Sequence, residues 1–144
     1  FVAPVDPAKV ERKQVMSPET AQAVLGMLRR TVTVGSGKNA DAQGYEVAGK
    51  TGTAEKPGPD GYDPNKNITS FAAVFPASRP QFVVLVVLDE AQPRTGDQRT
   101  ASYTAASIAG KVIARAAPLL DVRPVLTASK VEAASLRASE ATTP

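Results

Sequence analysis

The residues best suited to chemistry lie in one stretch, Lys50-Thr51-Gly52-Thr53. An ammonium, two hydroxyls and a residue without a side chain are the parts of a site that receives an anion, because both kinds of donor make charge-assisted hydrogen bonds to it. On a strand, alternation places Lys50 and Gly52 on one face and Thr51 and Thr53 on the other. All four serve one ligand only if it lies along the strand's edge and pairs with the backbone as an added strand. Gly52 then clears the point of closest approach. The bland reading is an exposed strand ending in Lys and Thr, and on the four residues alone it is preferred.

The same lysine completes a second pattern. Gly44-Tyr45-Glu46-Val47-Ala48-Gly49-Lys50-Thr51 fits the phosphate-loop expression G-x-x-x-x-G-K-[ST] letter for letter. A downstream apolar run ending in Asp89-Glu90 offers the acid that a magnesium site needs. The context argues against it. A phosphate loop follows a strand and opens a helix, so that backbone amides and the helix dipole face the anion. Here Gly44 follows polar loop, and Gly52-Thr53-Ala54-Glu55-Lys56-Pro57-Gly58-Pro59 cannot open a helix.

The elements that must carry these residues can be read from pattern. Ser17-Pro18-Glu19 is a helix start, with a hydroxyl cap, proline at the first position and an acid at the positive end of the dipole. Ala21, Val24, Leu25, Leu28 and Val32 continue it as one apolar stripe, and Gly35-Ser36-Gly37 ends it. A strand is expected over 44–56, with Pro57-Gly58-Pro59-Asp60-Gly61 as its stop and a loop running on to about Asn67. Further strands are expected over 68–75 and 82–89, joined as an antiparallel hairpin. The unbroken apolar run from Phe82 through Leu88 predicts a central strand covered on both faces. A second helix is expected over 100–117, closed by Pro118. The order helix, strand, hairpin, helix predicts an α+β fold with helices packed on an antiparallel sheet. Residues 1–124 form the expected domain portion, and 125–144, poor in large apolar residues, an expected flexible tail.

Composition removes several functions. The 144 residues contain no Cys and no His, which excludes thiol chemistry, a histidine base and the common zinc sites, so no metal ligands and no cofactor are assigned. The net charge is +3 with the seventeen basic residues scattered, and the aromatics are four Phe and three Tyr with no Trp. Neither a phosphate-tracking patch nor a base-stacking platform is present, so no nucleic-acid partner is expected. The run of seven residues at 82–88 is too short to cross a membrane.

The surroundings of the lysine change the preferred reading. Val47-Ala48-Gly49-Lys50-Thr51-Gly52-Thr53-Ala54-Glu55-Lys56 resembles the third motif of class B penicillin-binding proteins. Val34-Gly35-Ser36-Gly37-Lys38 and Gly44-Tyr45 are similar to that family's approach to the motif, and 68–77 and 84–90 to its next two strands. Thr104-Ala105-Ala106 resembles the start of the family's final helix, although Ser107 stands where Pro is common. The resemblance is collinear over about residues 12–123 and is nearest to the division-type members of Gram-negative bacteria.

That resemblance implies part of a penicillin-binding-protein/β-lactamase-like transpeptidase domain that cross-links peptidoglycan through a serine acyl-enzyme. Lys50 and Thr53 are then catalytic candidates, and Lys50, Thr51, Gly52 and Thr53 bind the D-Ala-D-Ala end of a stem peptide, or a β-lactam. The terminal carboxylate meets Lys50 and the Thr hydroxyls, and the Thr53 N–H faces the developing oxyanion. Implied partners are the remainder of the same transpeptidase domain and division-complex membrane proteins. The implied location is the periplasmic face of the inner membrane, with the anchor outside this chain. The family's other motifs, Ser-x-x-Lys with the nucleophile and Ser-x-Asn, do not occur here. They normally precede this segment, so the sequence reads as a C-terminal fragment that should not acylate alone. A degenerate, non-catalytic scaffold module and a nucleotide-binding protein remain as competing readings. Tyr103, Arg94 and Arg99 border the groove or simply face solvent. Asp89 and Glu90 read as a turn, Ser70 as structural, and Lys111 and Arg115 as a basic helix face.

Overall fold

The structure is a computed structural model that describes residues 9–11, 13–92 and 98–125. Helix α1 spans Pro18–Thr33, followed by a short 3-10 turn at Lys38–Ala40. Three strands come next, β1 at Ala48–Gly58, β2 at Gly61–Phe75 and β3 at Phe82–Asp89, and helix α2 closes the order at Ala105–Leu119. The strands form one antiparallel sheet in the order β1-β2-β3. This is the expected α+β architecture, with helices packed on an antiparallel sheet.

The α1 start is as the sequence predicts. Ser17 caps it by accepting from the Thr20 N–H at 3.2 Å, and Pro18 is the first helical residue. Hydrogen bonding to its own backbone, then to the Ser17 hydroxyl, holds the Glu19 carboxyl below its ordinary range. The apolar stripe is less covered than its periodicity implies. Only Val32 is buried, while Ala21, Leu25 and Leu28 are half-buried and Val24 is exposed.

One core lies between the helices and one face of the sheet. Phe71, Ala73 and Phe75 of β2 pack with Val32 of α1 and with Ala105, Ala109 and Ile113 of α2. In the strand pairing, Thr51, Phe71 and Val86 occupy this inner face, and so do Thr53, Thr69 and Leu88. The opposite face carries Lys50, Ala72 and Leu85 in one row and Gly52, Ser70 and Val87 in the next.

Four expectations are corrected. β1 begins at Ala48 instead of 44, because Gly44 and Glu46 have φ of 87° and 46° and turn the chain before it can extend. The 57–61 stretch is a hairpin turn and not an exit into a long loop, since β2 begins at Gly61 and pairs back through Gly58↔Gly61 and Lys56↔Asp63. The register slips between Glu55 and Lys56. Residues 64–66 bulge out there, and the Asp63 carboxylate accepts the Asn65 N–H at 2.9 Å. Pro57 is tolerated because β1 is an edge strand.

β3 is not a central strand covered on both faces. It is the other edge of the sheet, and Val83, Leu85 and Val87 are 73%, 65% and 56% exposed. An all-apolar strand needs two covers, and the described elements supply one. Lastly, α2 begins at Ala105 instead of 100, after turns through 98–104, and runs one residue past Pro118. Its last carbonyls are taken by the Leu120 N–H, 3.0 Å from the Ala116 oxygen, and the Val122 N–H, 3.0 Å from that of Ala117. Of the expected tail, Val125 donates its N–H to the Gly44 carbonyl at 2.7 Å. Residues 126–144 lie outside the described residues, as does Arg94.

Candidate functional site

Lys50-Thr51-Gly52-Thr53 sits in β1, whose outer side has no neighbouring strand among the described residues. The pleat divides the four residues as alternation predicts. Lys50 and Gly52 face the open side of the sheet, and Thr51 and Thr53 face the helix side. The Lys50 ammonium is exposed and donates to the Thr51 carbonyl at 2.9 Å. No carboxylate among the described residues lies within ion-pair distance of it. Lys50 is inside a strand that continues to Gly58, so no helix N-terminus stands at it to receive a phosphate.

Local anchors hold this edge in place. Arg29 of α1 donates to the Val47 carbonyl at 2.7 Å and to the Asp41 carboxylate at 3.1 Å, which secures the entry to β1. The Ser36 and Thr51 hydroxyls are 2.8 Å apart. The Ala101 N–H donates to the Thr53 hydroxyl oxygen at 3.2 Å. The 98–104 segment that brings Ala101 there is itself tied down. Asn39 donates to the Ser102 carbonyl at 3.0 Å, and the Thr104 and Thr69 hydroxyls are 3.0 Å apart. Sequence reasoning put the four candidate residues on one strand with the faces found here, but missed Ser36 and the Ala101 amide as their supports. The Gly35-Ser36-Gly37 turn was the only signal for the first, and a main-chain donor carries none.

The residues weighed beside the site fall into clear places. Arg99 donates to the Asn65 carbonyl at 3.4 Å and borders a polar cleft of about 290 Å³ that also includes Asn67 and Glu90, apart from the four motif residues. Tyr103 is exposed, beside Leu88 and Ile108. The Ser70 hydroxyl lies across from Gly52 on the open face. Lys111 and Arg115 are exposed on α2. No group of three His, Cys, Asp or Glu among the described residues is placed to hold a metal.

Asp89 and Glu90 both bind Lys56, at 2.9 and 2.7 Å. The clamp joins the end of β3 to β1 beside the register slip. The Glu90 hydrogen bond, then that of Asp89, raises the Lys56 pKa above the ordinary lysine range. A raised lysine contributes stability that is fully present below the unfolded pKa and is lost as pH rises through the folded one. Lys56→Met is therefore expected to melt below the wild type throughout the neutral range, with the gap closing only in strongly alkaline solution. Thermal melts of both proteins against pH check this, and a gap unchanged at high pH would assign it to packing instead of charge.

Comparison with known proteins gives the family. The description "Penicillin binding protein transpeptidase domain" matches residues 5–114. The chain is 37% identical over 123 residues to a peptidoglycan D,D-transpeptidase FtsI homolog of Chlorokybus atmophyticus, covering 85% of this chain and 18% of that protein. The transpeptidase domain of Burkholderia pseudomallei penicillin-binding protein 3 superposes with a TM-score of 0.74 at 32% identity, over 86% of this chain and 37% of that one. Penicillin-binding protein 3 of Mycobacterium tuberculosis, solved with ampicillin, superposes with a TM-score of 0.64 at 28% identity, over 79% of this chain and 27% of that one. This chain belongs to the penicillin-binding protein transpeptidase family, and it represents a part of that domain. It spans less than a fifth of the length of that FtsI relative.

Proposed function

We propose that this chain is the substrate- and β-lactam-binding part of a serine peptidoglycan D,D-transpeptidase whose nucleophile lies outside it. The observation that carries the reading is the Lys50-Thr51-Gly52-Thr53 motif on a strand with no outer neighbour among the described residues, along which a peptide can lie, and an exposed ammonium with no carboxylate at ion-pair distance among those residues. In the reaction, the serine oxygen attacks the carbonyl of the penultimate D-Ala. The peptide C–N bond breaks, and the terminal D-Ala leaves with a proton. An amine of a neighbouring stem peptide then displaces the serine and forms the cross-link. Lys50, Thr51 and Thr53 hold the carboxylate of the leaving residue, Gly52 admits the peptide backbone, and the Thr53 N–H stabilises the oxyanion.

The rest of the domain is the proposed cover for the open sheet face. Val83, Leu85 and Val87 of β3 form an apolar row on the same sheet face as Lys50 and Gly52, across β2 from them. The proposed division role, division-complex partners and periplasmic location are supported by the kinship with FtsI-type proteins. No helix among the described residues is long and apolar enough to cross a membrane.

The test is the intact mass of the complete transpeptidase carrying this segment after incubation with a penicillin. The expected result is one covalent adduct. A folded protein that forms none would favour the non-catalytic scaffold.

A further inference from the structure

Thr51 and Thr53 do not stand at the strand edge alone. Ser36, in the turn between α1 and β1, has its hydroxyl 2.8 Å from that of Thr51, and the Ala101 N–H donates to the Thr53 oxygen at 3.2 Å. A hydroxyl has one proton to give and two lone pairs to receive. On Thr53 the Ala101 amide occupies a lone pair, so the O–H is left to donate outward. On Thr51 the outcome depends on Ser36. When Ser36 donates, the Thr51 O–H is released as a donor. When Thr51 donates, Ser36 holds the released O–H. An anion beside Thr51 selects the first arrangement, since a hydroxyl that accepts a bond is polarised into a stronger donor.

From this geometry we infer that Ser36 is a positioning residue for the carboxylate-binding part of the site. It sets the Thr51 hydroxyl as a donor, as the Ala101 backbone does for Thr53. With Lys50 next in sequence on the other face of β1, the edge then offers three donors to a carboxylate that lies along it. Such a set discriminates a carboxylate from its neutral ester, which has lost the charge that makes each of those bonds strong. Ser36 is exposed, and among the described residues no buried side-chain polar group is left without a partner. Its partner Thr51 is only half-buried, so removing the Ser36 hydroxyl leaves no fully buried polar group without a partner. The inference rests on the transpeptidase reading and adds to it the group that orients Thr51.

The experiment measures acylation of the complete transpeptidase domain by a penicillin and by its methyl ester, in the wild type and in Ser36→Ala and Ser36→Thr. The expected result is a wild type that prefers the free acid. Ser36→Ala should lose roughly five- to tenfold with the acid and little with the ester. Ser36→Thr, which keeps the hydroxyl, should stay within about twofold of the wild type. A residue that only braces the turn would lower both rates by one factor. An acid-to-ester ratio unchanged in Ser36→Ala overturns the inference and leaves the transpeptidase reading standing. A wild type that forms no adduct with either compound overturns that reading, and the role of Ser36 with it.

Discussion

Lys50→Ala, made in the complete transpeptidase domain, is expected to slow penicillin acylation by roughly a hundredfold or more without lowering the melting temperature. The first part follows from the charge. Removing one partner of a desolvated, hydrogen-bonded charge pair costs about 2–5 kcal/mol, and each 1.4 kcal/mol of transition-state binding is about a factor of ten in rate. The second part follows from the surroundings. In the free protein the ammonium is exposed, and its recorded bond is to the neighbouring Thr51 carbonyl, so its loss strands no buried partner. Lys50→Arg should recover only part of the rate, because a planar guanidinium does not occupy the place of a compact ammonium. The measurement is the second-order acylation rate beside a thermal melt. A Lys50→Ala protein that acylates at the wild-type rate would falsify the role given to this residue.

Gly49→Ala and Gly52→Ala are the second prediction, and they should fail in opposite ways. A methyl at Gly49 would point into the core, 2.6 Å from the Ala72 carbonyl oxygen and 2.6 Å from the edge of the Phe71 ring. The carbonyl is main chain and Phe71 is fully buried, so neither yields without moving the sheet. Overpacking of this kind costs about 1–3 kcal/mol. It outweighs the roughly 0.4–1 kcal/mol that a Gly-to-Ala change gains by restricting the unfolded chain. A methyl at Gly52 would point to the open face and meet only the Ser70 hydroxyl, at 2.6 Å. That side chain can rotate away, so the folded protein should keep its stability to within about 1 kcal/mol. The methyl would then stand where the substrate backbone must approach, and acylation should fall on the order of a hundredfold. Urea unfolding and acylation rates on the two variants separate the effects. Equal destabilisation of both would mean that the two faces of β1 are not distinguished as the pairing implies.

Both predictions turn on a division that the sequence already contained. Alternation alone put Lys50 and Gly52 on one face and Thr51 and Thr53 on the other. The cap at Ser17, the bounds of β3 at 82–89, the α+β class and the family resemblance were equally legible, because each depends on local chemistry or on a collinear run of residues. What was misread depends on pairing between distant segments. Pro57 through Gly61 looked like a stop, since Pro and Gly punctuate any loop, and only the pairing of Lys56 with Asp63 shows a hairpin. Phe82 through Leu88 looked central because seven apolar residues call for two covers, and the sheet order makes that strand an edge with one face open. The supports of the site were hidden for the same reason. Ser36 reaches Thr51 across 15 residues, and Ala101 reaches Thr53 across 48, through a main-chain donor that every non-proline residue possesses. Residue types and spacing determined which groups are proposed to meet an anion. The tertiary structure decided which neighbours stand beside those groups, because Ser36 and the Ala101 amide reach Thr51 and Thr53 only through folding.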